Sequence, residues 1–174
     1  MYGWRITKYN PAFRDERGSY LKDEWTSVSD VGKSFGGEVL TVEQYCKIEN
    51  AYVATALRFF KEAGLESLKV TSLEQHNSPG VANSSLADIP FDPSLVEESM
   101  NVSGEALESI CRLVLREAIW CRLESEEGFH IHFGFDYYMY VGSPVSSENS
   151  GVYGHQQGLF IEAMPSPYLS AAEA

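Results

Sequence analysis

Residues 128–142 read GFHIHFGFDYYMYVG, and this stretch predicts the central strands of the fold. Alternate side chains of a strand point to opposite faces, so a period-two pattern marks one face for a core. Aromatic enrichment favours a strand over a helix. Gly134, near the middle, predicts either one long strand with a bulge or two shorter strands. The odd positions form the apolar and aromatic row Phe129, Ile131, Phe133, Phe135, Tyr137, Met139 and Val141.

Two segments have helical patterns, residues 41–63 and residues 103–124. In the first, Thr41 and Gln44 make a capping box, apolar residues recur at helical spacing, and Gly64 supplies the stop. In the second, apolar residues occupy well over a third of the circumference. Such a helix is covered on more than one side, so we expect Trp120 to be largely buried.

Shorter apolar runs predict the remaining strands, over residues 4–9, 65–73 and 159–164, with a further candidate near residues 21–28. Polar stretches rich in Ser, Gly and Asn predict loops over residues 75–93 and 143–158. We therefore expect a two-layer α+β domain in which two main helices pack on one face of a mixed sheet of about four to five strands. One globular domain should span residues 1–174, with a frayed tail from about residue 170.

The net charge narrows the classes of partner. The chain carries 25 acidic residues against 13 lysines and arginines, a formal charge of −12. Phosphate backbones repel such a surface, so we expect neither nucleic acid nor an anionic membrane as a partner. The charge suits a basic protein partner, or simply keeps the protein in solution.

The cysteines and the N-terminal sequence indicate the compartment. Cys46, Cys111 and Cys121 are odd in number, have no CxxC spacing and fall in helical patterns, which predicts reduced, mostly buried thiols. The long apolar run of a signal peptide or membrane span is not present in the sequence. We therefore expect a cytoplasmic protein, and we predict no cofactor.

A metal site is one reading of the central stretch. His130, His132 and Asp136 share one strand face by parity, and imidazoles two residues apart can bind one ion. A further ligand would have to come from elsewhere, for example His155 or Glu162. Alternatively, these residues only supply the polar outer face of a half-buried sheet. A metal-dependent enzyme on this face is the second hypothesis for function.

Tyrosines and paired carboxylates are the candidate groups for binding a protein. Tyr combines a large, rigid apolar body with a polar tip and is favoured at interfaces. Acidic pairs are usually a solvated surface, but several that converge would make one negative patch. The candidate partner-binding residues are Asp23, Glu24, Glu126, Glu127, Tyr138 and Tyr140.

Three segments carry a resemblance: residues 5–11 (RITKYNP), 23–32 (DEWTSVSDVG) and 132–138 (HFGFDYY). Together they resemble a group of small, acidic, largely uncharacterised bacterial proteins, some of which look like immunity proteins of secreted-toxin systems. The resemblance implies a cytoplasmic bacterial protein that binds and blocks a cognate toxin, and it transfers no catalytic residue. The first hypothesis is therefore a protein-binding module that sequesters a basic toxin domain. A non-catalytic structural or regulatory protein is the third.

Overall fold

The computed structural model describes residues 1–75, 86, 89 and 91–169, and it is built around one antiparallel sheet. Among the described residues, seven strands form this sheet, and β2 (Ser34–Phe35) and β3 (Glu38–Val39) pair separately. All of the pairings are antiparallel. In spatial order the seven strands are β5 (Asn101–Val102), β4 (Leu68–Gln75), β6 (Ile119–Glu124), β7 (His130–Phe133), β8 (Met139–Ser143), β1 (Tyr2–Thr7) and β9 (Phe160–Ala163).

In the part of the chain that the structure describes, three helices cover one face of this sheet: α1 (Val42–Glu62), α2 (Gly104–Leu115) and α3 (Glu148–Gln156). The capping box at Thr41 and Gln44 is formed in both directions, which explains why α1 begins where the sequence predicts. Helix α1 packs between the other two helices. The Trp4 ring of β1 meets Phe59 of α1 with ring centroids 4.9 Å apart. Within the described chain, no helix has the length and apolarity needed to cross a membrane.

The α+β class is confirmed, but the predicted arrangement of two main helices on a mixed sheet of four to five strands is wrong. The largest error lies in residues 103–124. Helix α2 ends at Leu115, Glu117 adopts a left-handed φ of 58°, and the chain continues as strand β6. The apolar residues seemed to surround one long helix because a helical stripe and a strand row follow each other directly. Trp120 and Cys121 therefore lie in a strand.

Helix α3 lies in a stretch that the sequence predicts to be a loop. Two of its nine residues are glycines, which lower helix propensity. Gly154 has a packing reason, since a Cβ there would collide with the Ile161 side chain of β9. Of the other predictions, residues 21–28 contain no strand. The predicted frayed tail at 170–174, and most of the predicted loop at 75–93, lie outside the described residues.

The sheet face turned away from the helices, here called the outer face, is covered by the segment 164–169. Gly3 and Gly142 pair in register on neighbouring strands and leave room above the sheet. A Cβ at Gly142 would collide with the His130 ring, and one at Gly3 would come within 2.9 Å of the Pro165 Cα. Glycine in a strand marks such close approach. The two glycines therefore let the segment and a buried imidazole lie against the sheet.

A buried carboxylate joins α1 to α2. Glu49, 1% exposed, accepts hydrogen bonds from the Arg116 guanidinium at 2.6 and 2.8 Å and from Arg112 at 2.9 Å. The Tyr45 hydroxyl donates to the same carboxylate at 3.2 Å. A charge removed from water is tolerated only when it is paired and hydrogen-bonded. The two helices are consequently fixed in one register by this cluster.

Replacing Glu49 tests this role. In Glu49→Ala two half-buried guanidinium groups lose their shared acceptor, so we expect the free energy of unfolding to fall by about 3 kcal/mol. Glu108→Ala is the matched control, because Glu108 pairs with Arg112 at the exposed side of the cluster. Its loss should cost less than about 1 kcal/mol. Chemical denaturation measures both values, and equal losses would contradict a special role for Glu49.

Candidate functional site

A cavity of about 570 Å³ lies beside the end of α2, where β6 begins and β7 ends. This volume is within the range typical of ligand pockets. The apolar floor comes from Leu115 and Ile119, and residues 26 and 27 close one side. We call it the aromatic cavity, because six rings line it: Trp120, Phe133, Phe135, Tyr137, Tyr138 and Tyr168.

A strained turn, residues 134–138, forms one wall of the aromatic cavity. Strand β7 ends at Phe133, and the chain turns through a short 3₁₀ segment in which Asp136 has φ 56° and Tyr137 has φ 63°. A left-handed backbone is costly for a bulky residue such as Tyr. Because the turn breaks the strand parity, Phe135 is 86% exposed instead of lying in the core as its odd position predicts. The strained turn thus presents a bare aromatic ring at the cavity mouth.

The strained backbone is held by a buried tyrosine cluster. The Tyr137 hydroxyl donates to the Tyr45 hydroxyl at 2.7 Å, and the Tyr52 hydroxyl donates to the Tyr137 carbonyl at 2.6 Å. Trp25 packs edge-on against Tyr137 at 4.9 Å. Burial raises the pKa of the Tyr137 hydroxyl well above its ordinary value, so it stays protonated as a donor. The core therefore over-determines the turn, as strained functional segments require.

Three exposed carboxylates, here called the rim carboxylates, border the aromatic cavity: Glu74, Glu117 and Asp136. None of them makes an ion pair with another described residue, and no lysine or arginine is among the cavity-lining residues. Carboxylates beside apolar walls focus a negative potential into the cavity. The site is electrostatically suited to a cation.

The region next to the aromatic cavity already holds a cation of the protein itself. The Lys8 ammonium lies 4.0 Å from the centroid of the Tyr9 ring and 4.3 Å from that of Trp25. It also donates to Glu24 at 3.2 Å. Burial lowers the pKa of Lys8 to about 8, and the Glu24 charge opposes that shift. Two rings and one carboxylate are thus sufficient here to hold a largely buried ammonium group.

Of the sequence-predicted partner residues, Tyr138 lines the aromatic cavity, and the pair Asp23 and Glu24 shortly precedes the lining residues Thr26 and Ser27 in sequence. Tyr138 is half-buried and lines it. Asp23 is exposed, and Glu24 makes the Lys8 ion pair just before the cavity-lining residues Thr26 and Ser27.

The other three sequence-predicted partner residues do not join them. Glu126 and Glu127 are exposed at the β6–β7 turn, at the opposite end of this hairpin from Phe133. Tyr140 is only 8% exposed, because Tyr168 packs on it at 6.1 Å. The prediction of Tyr140 as an exposed anchor is therefore wrong. The polar strand face on which it lies is covered by the segment 164–169.

The three residues of the predicted metal site, His130, His132 and Asp136, do not lie together. His130 and His132 stack with ring centroids 4.4 Å apart on the buried outer face, whereas Asp136 is exposed on the strained turn. Strand alternation does not bring Asp136 to the two histidines, because β7 ends at Phe133. Of the two possible further ligands, Glu162 is in ion pairs with Arg5 and Arg14, and His155 Nδ1 lies 3.1 Å from the Leu159 carbonyl oxygen. Within the described chain, no group of three or more His, Cys, Asp or Glu side chains is placed to bind a metal ion.

A hydroxyl–imidazole–carboxylate chain crosses the outer face. His132 Nδ1 lies 2.8 Å from Ser166 Oγ, and its Nε2 lies 3.0 Å from a Glu124 oxygen. In a hydrolase this order of groups activates a serine nucleophile. Here Ser166 is 6% exposed, and its Oγ also accepts the Tyr168 backbone N–H at 3.2 Å. This row of hydrogen-bonded side chains therefore fastens the segment 164–169 to the sheet, together with Tyr168, which lines the aromatic cavity.

Sequence reasoning misses several residues of this site. It places Trp120 in a helix and Phe135 in the core, it gives Tyr168 no role, and Glu74 and Glu117 are single exposed acids without a motif. Gly134 was the available signal, because a glycine within an aromatic strand pattern indicates a break.

Comparison with known proteins identifies no relative. No protein-family model matches the sequence, and neither the curated proteins nor the solved structures include a match.

The buried imidazole predicts how stability depends on pH. Burial, followed by the neighbouring His130 ring, lowers the pKa of His132 to about 4, although the Glu124 carboxylate opposes the shift. An unfolded histidine titrates near pH 6.5, so the unfolded state takes up more protons between these values. The His132 contribution is complete above about pH 6.5 and is lost as the pH falls toward 4.

Denaturation of the wild type and of His132→Gln at several pH values measures this contribution. The amide of Gln retains a donor and an acceptor but does not titrate in this range. We expect the free energy of unfolding to fall less steeply between pH 6.5 and 4.5 in the variant. Equal slopes for the two proteins would contradict the assignment.

Proposed function

We propose that this protein is a binding module that sequesters a basic protein partner, in the manner of an immunity protein that blocks a toxin. The observation that carries the proposal is the aromatic cavity, with its exposed Phe135 and its rim carboxylates. Binding hot spots are enriched in aromatic anchors that fill pockets, and charged rims set the partner and the encounter rate. The resemblance to immunity proteins and the charge of −12 favour the same class of function.

The strain of the turn supports recognition over packing. An exposed phenylalanine gains nothing from the core, and two consecutive left-handed residues cost free energy. Strain of this kind is concentrated at ligand clamps and other functional sites. A turn that is already fixed by the Tyr137 hydrogen bonds loses little conformational entropy when a partner binds. The turn is therefore suited to serve as a pre-organised anchor.

The rim carboxylates and the exposed aromatic ring have different kinetic roles. Charge complementarity acts over about 8–10 Å at physiological salt and mainly raises the association rate. Aromatic anchors become buried only after docking and mainly lower the dissociation rate. Partner capture followed by surface kinetics therefore tests the two contributions separately. Failure to recover a stable basic partner from the native host would contradict the proposal.

Neutralising the rim carboxylates should slow association. We expect the combined variant Glu74→Gln, Glu117→Gln and Asp136→Asn to reduce the association rate about ten-fold at low salt and to flatten its salt dependence. Asn tolerates the left-handed backbone at position 136, so the turn is preserved.

The variant Glu126→Gln with Glu127→Gln is the control, because it removes charge at the far end of the β6–β7 hairpin. Its association rate should fall less than two-fold, as befits a general charge effect. Equal slowing by both variants would show that only net charge matters.

Truncating the exposed ring should instead speed dissociation. We expect Phe135→Ala to raise the dissociation rate at least thirty-fold, since a hot-spot truncation costs about 2 kcal/mol or more. Tyr2→Ala is the matched control, because Tyr2 is 50% exposed at the Ser143 end of β1, away from the cavity. Surface kinetics at fixed salt measures both rates. Similar dissociation rates for the wild type and Phe135→Ala would contradict the anchor role.

A further inference from the structure

We propose that the aromatic cavity is a receptor site for an arginine side chain, presented by the partner. This inference rests on the proposed function and names the chemical group that the site recognises. The cavity combines aromatic rings, from Trp120, Tyr168 and Phe135 among others, with the rim carboxylates, and no described cation lines it. A bound guanidinium would supply the missing positive charge.

Cation–π attraction and charge pairing act together in such a site. A cation within about 6 Å of a ring centroid is attracted by the ring quadrupole, most strongly by Trp, and the attraction grows when water is excluded. A carboxylate at the rim adds a charge-assisted hydrogen bond. An apolar floor from Leu115 and Ile119 accommodates a methylene stem. The face of the guanidinium group, its N–H donors and the methylene stem of an arginine side chain therefore each have a complement in the cavity.

The Lys8 site gives an internal precedent for this chemistry. There, Tyr9, Trp25 and Glu24 hold an ammonium group at 4.0, 4.3 and 3.2 Å. The Trp25 ring also packs against Tyr137, which lines the aromatic cavity. The aromatic cavity repeats this composition on a larger scale and without a resident cation among its lining residues.

Shape and hydration favour arginine over lysine. A planar guanidinium both stacks on rings and pairs with carboxylates in a fork geometry, whereas an ammonium group is a compact point charge. Guanidinium is also more weakly hydrated than ammonium, so it costs less to bring into an apolar cavity. The three rim carboxylates come from three different parts of the chain, namely β4, the connection between α2 and β6, and the strained turn, and each of them offers acceptor oxygens.

The test uses the whole protein and two small probes, N-acetyl-arginine methylamide and its neutral isostere, N-acetyl-citrulline methylamide. The reporter is the Trp120 indole N–H, which donates to the Phe133 carbonyl at 2.9 Å, followed by ¹⁵N NMR. Trp4 serves as an internal control, because its ring packs against Phe59 in the helix-covered core. We expect a saturable Trp120 shift with a Kd on the order of 1 mM for the arginine probe. Citrulline should bind at least ten-fold more weakly.

The charge variants complete the test. Neutralising the three rim carboxylates should weaken arginine binding at least ten-fold, whereas Glu126→Gln with Glu127→Gln should leave it within two-fold. Equal binding of both probes, or no saturable shift of Trp120, overturns the inference. Capture of a basic partner without arginine binding overturns the inference alone. Arginine binding with no partner recovered overturns the proposed function instead.

Discussion

The buried carboxylate of Glu49 is the interaction on which the other parts of this structure depend. It is stable inside the protein only while Tyr45 of α1, Arg112 of α2 and Arg116, just after the end of α2, all reach it. That requirement fixes α1 against α2. It also orients Tyr45, whose hydroxyl receives the hydrogen bond from Tyr137. One desolvated charge in the helical layer is thereby linked, through Tyr45 and Tyr137, to the backbone of a surface turn.

The site illustrates how a rigid core positions a recognition surface. Phe135 projects into solvent because the backbone on its C-terminal side is held in a conformation that Tyr would not adopt alone. The outer face contributes as well, since Ser166 and His132 hold the segment that carries Tyr168 to the cavity wall. Support therefore reaches the cavity from both faces of the sheet. In the proposed function, the partner binds the aromatic rings and rim carboxylates that remain exposed at the cavity.

Local patterns in the sequence predicted the parts of the fold that local physics determines. The capping box found the start of α1, and the alternating row found the core side chains of β7 and β8, namely Ile131, Phe133, Met139 and Val141. Parity failed at Phe135 because it assumes an unbroken strand, whereas the turn depends on hydrogen bonds from partners 85 and 92 residues away in sequence. The boundary at Leu115 was missed because apolar residues continue through it. The two distant hydrogen bonds of the turn leave no signature in a short window of sequence, and neither does this helix boundary.

The position of β1 has a consequence for how the chain folds. This first strand lies between β8 and β9, which are formed by the last part of the described chain. Its register partners are therefore more than 130 residues distant, as in the pair Ile6 and Met139. During synthesis, the described strands offer β1 no sheet neighbour until β8, more than 130 residues later, has left the ribosome. Loop closure over this distance costs entropy before any strand contact forms. We therefore expect the sheet to be completed late and slowly. Until then, the unpaired strand β1 is exposed to misassociation.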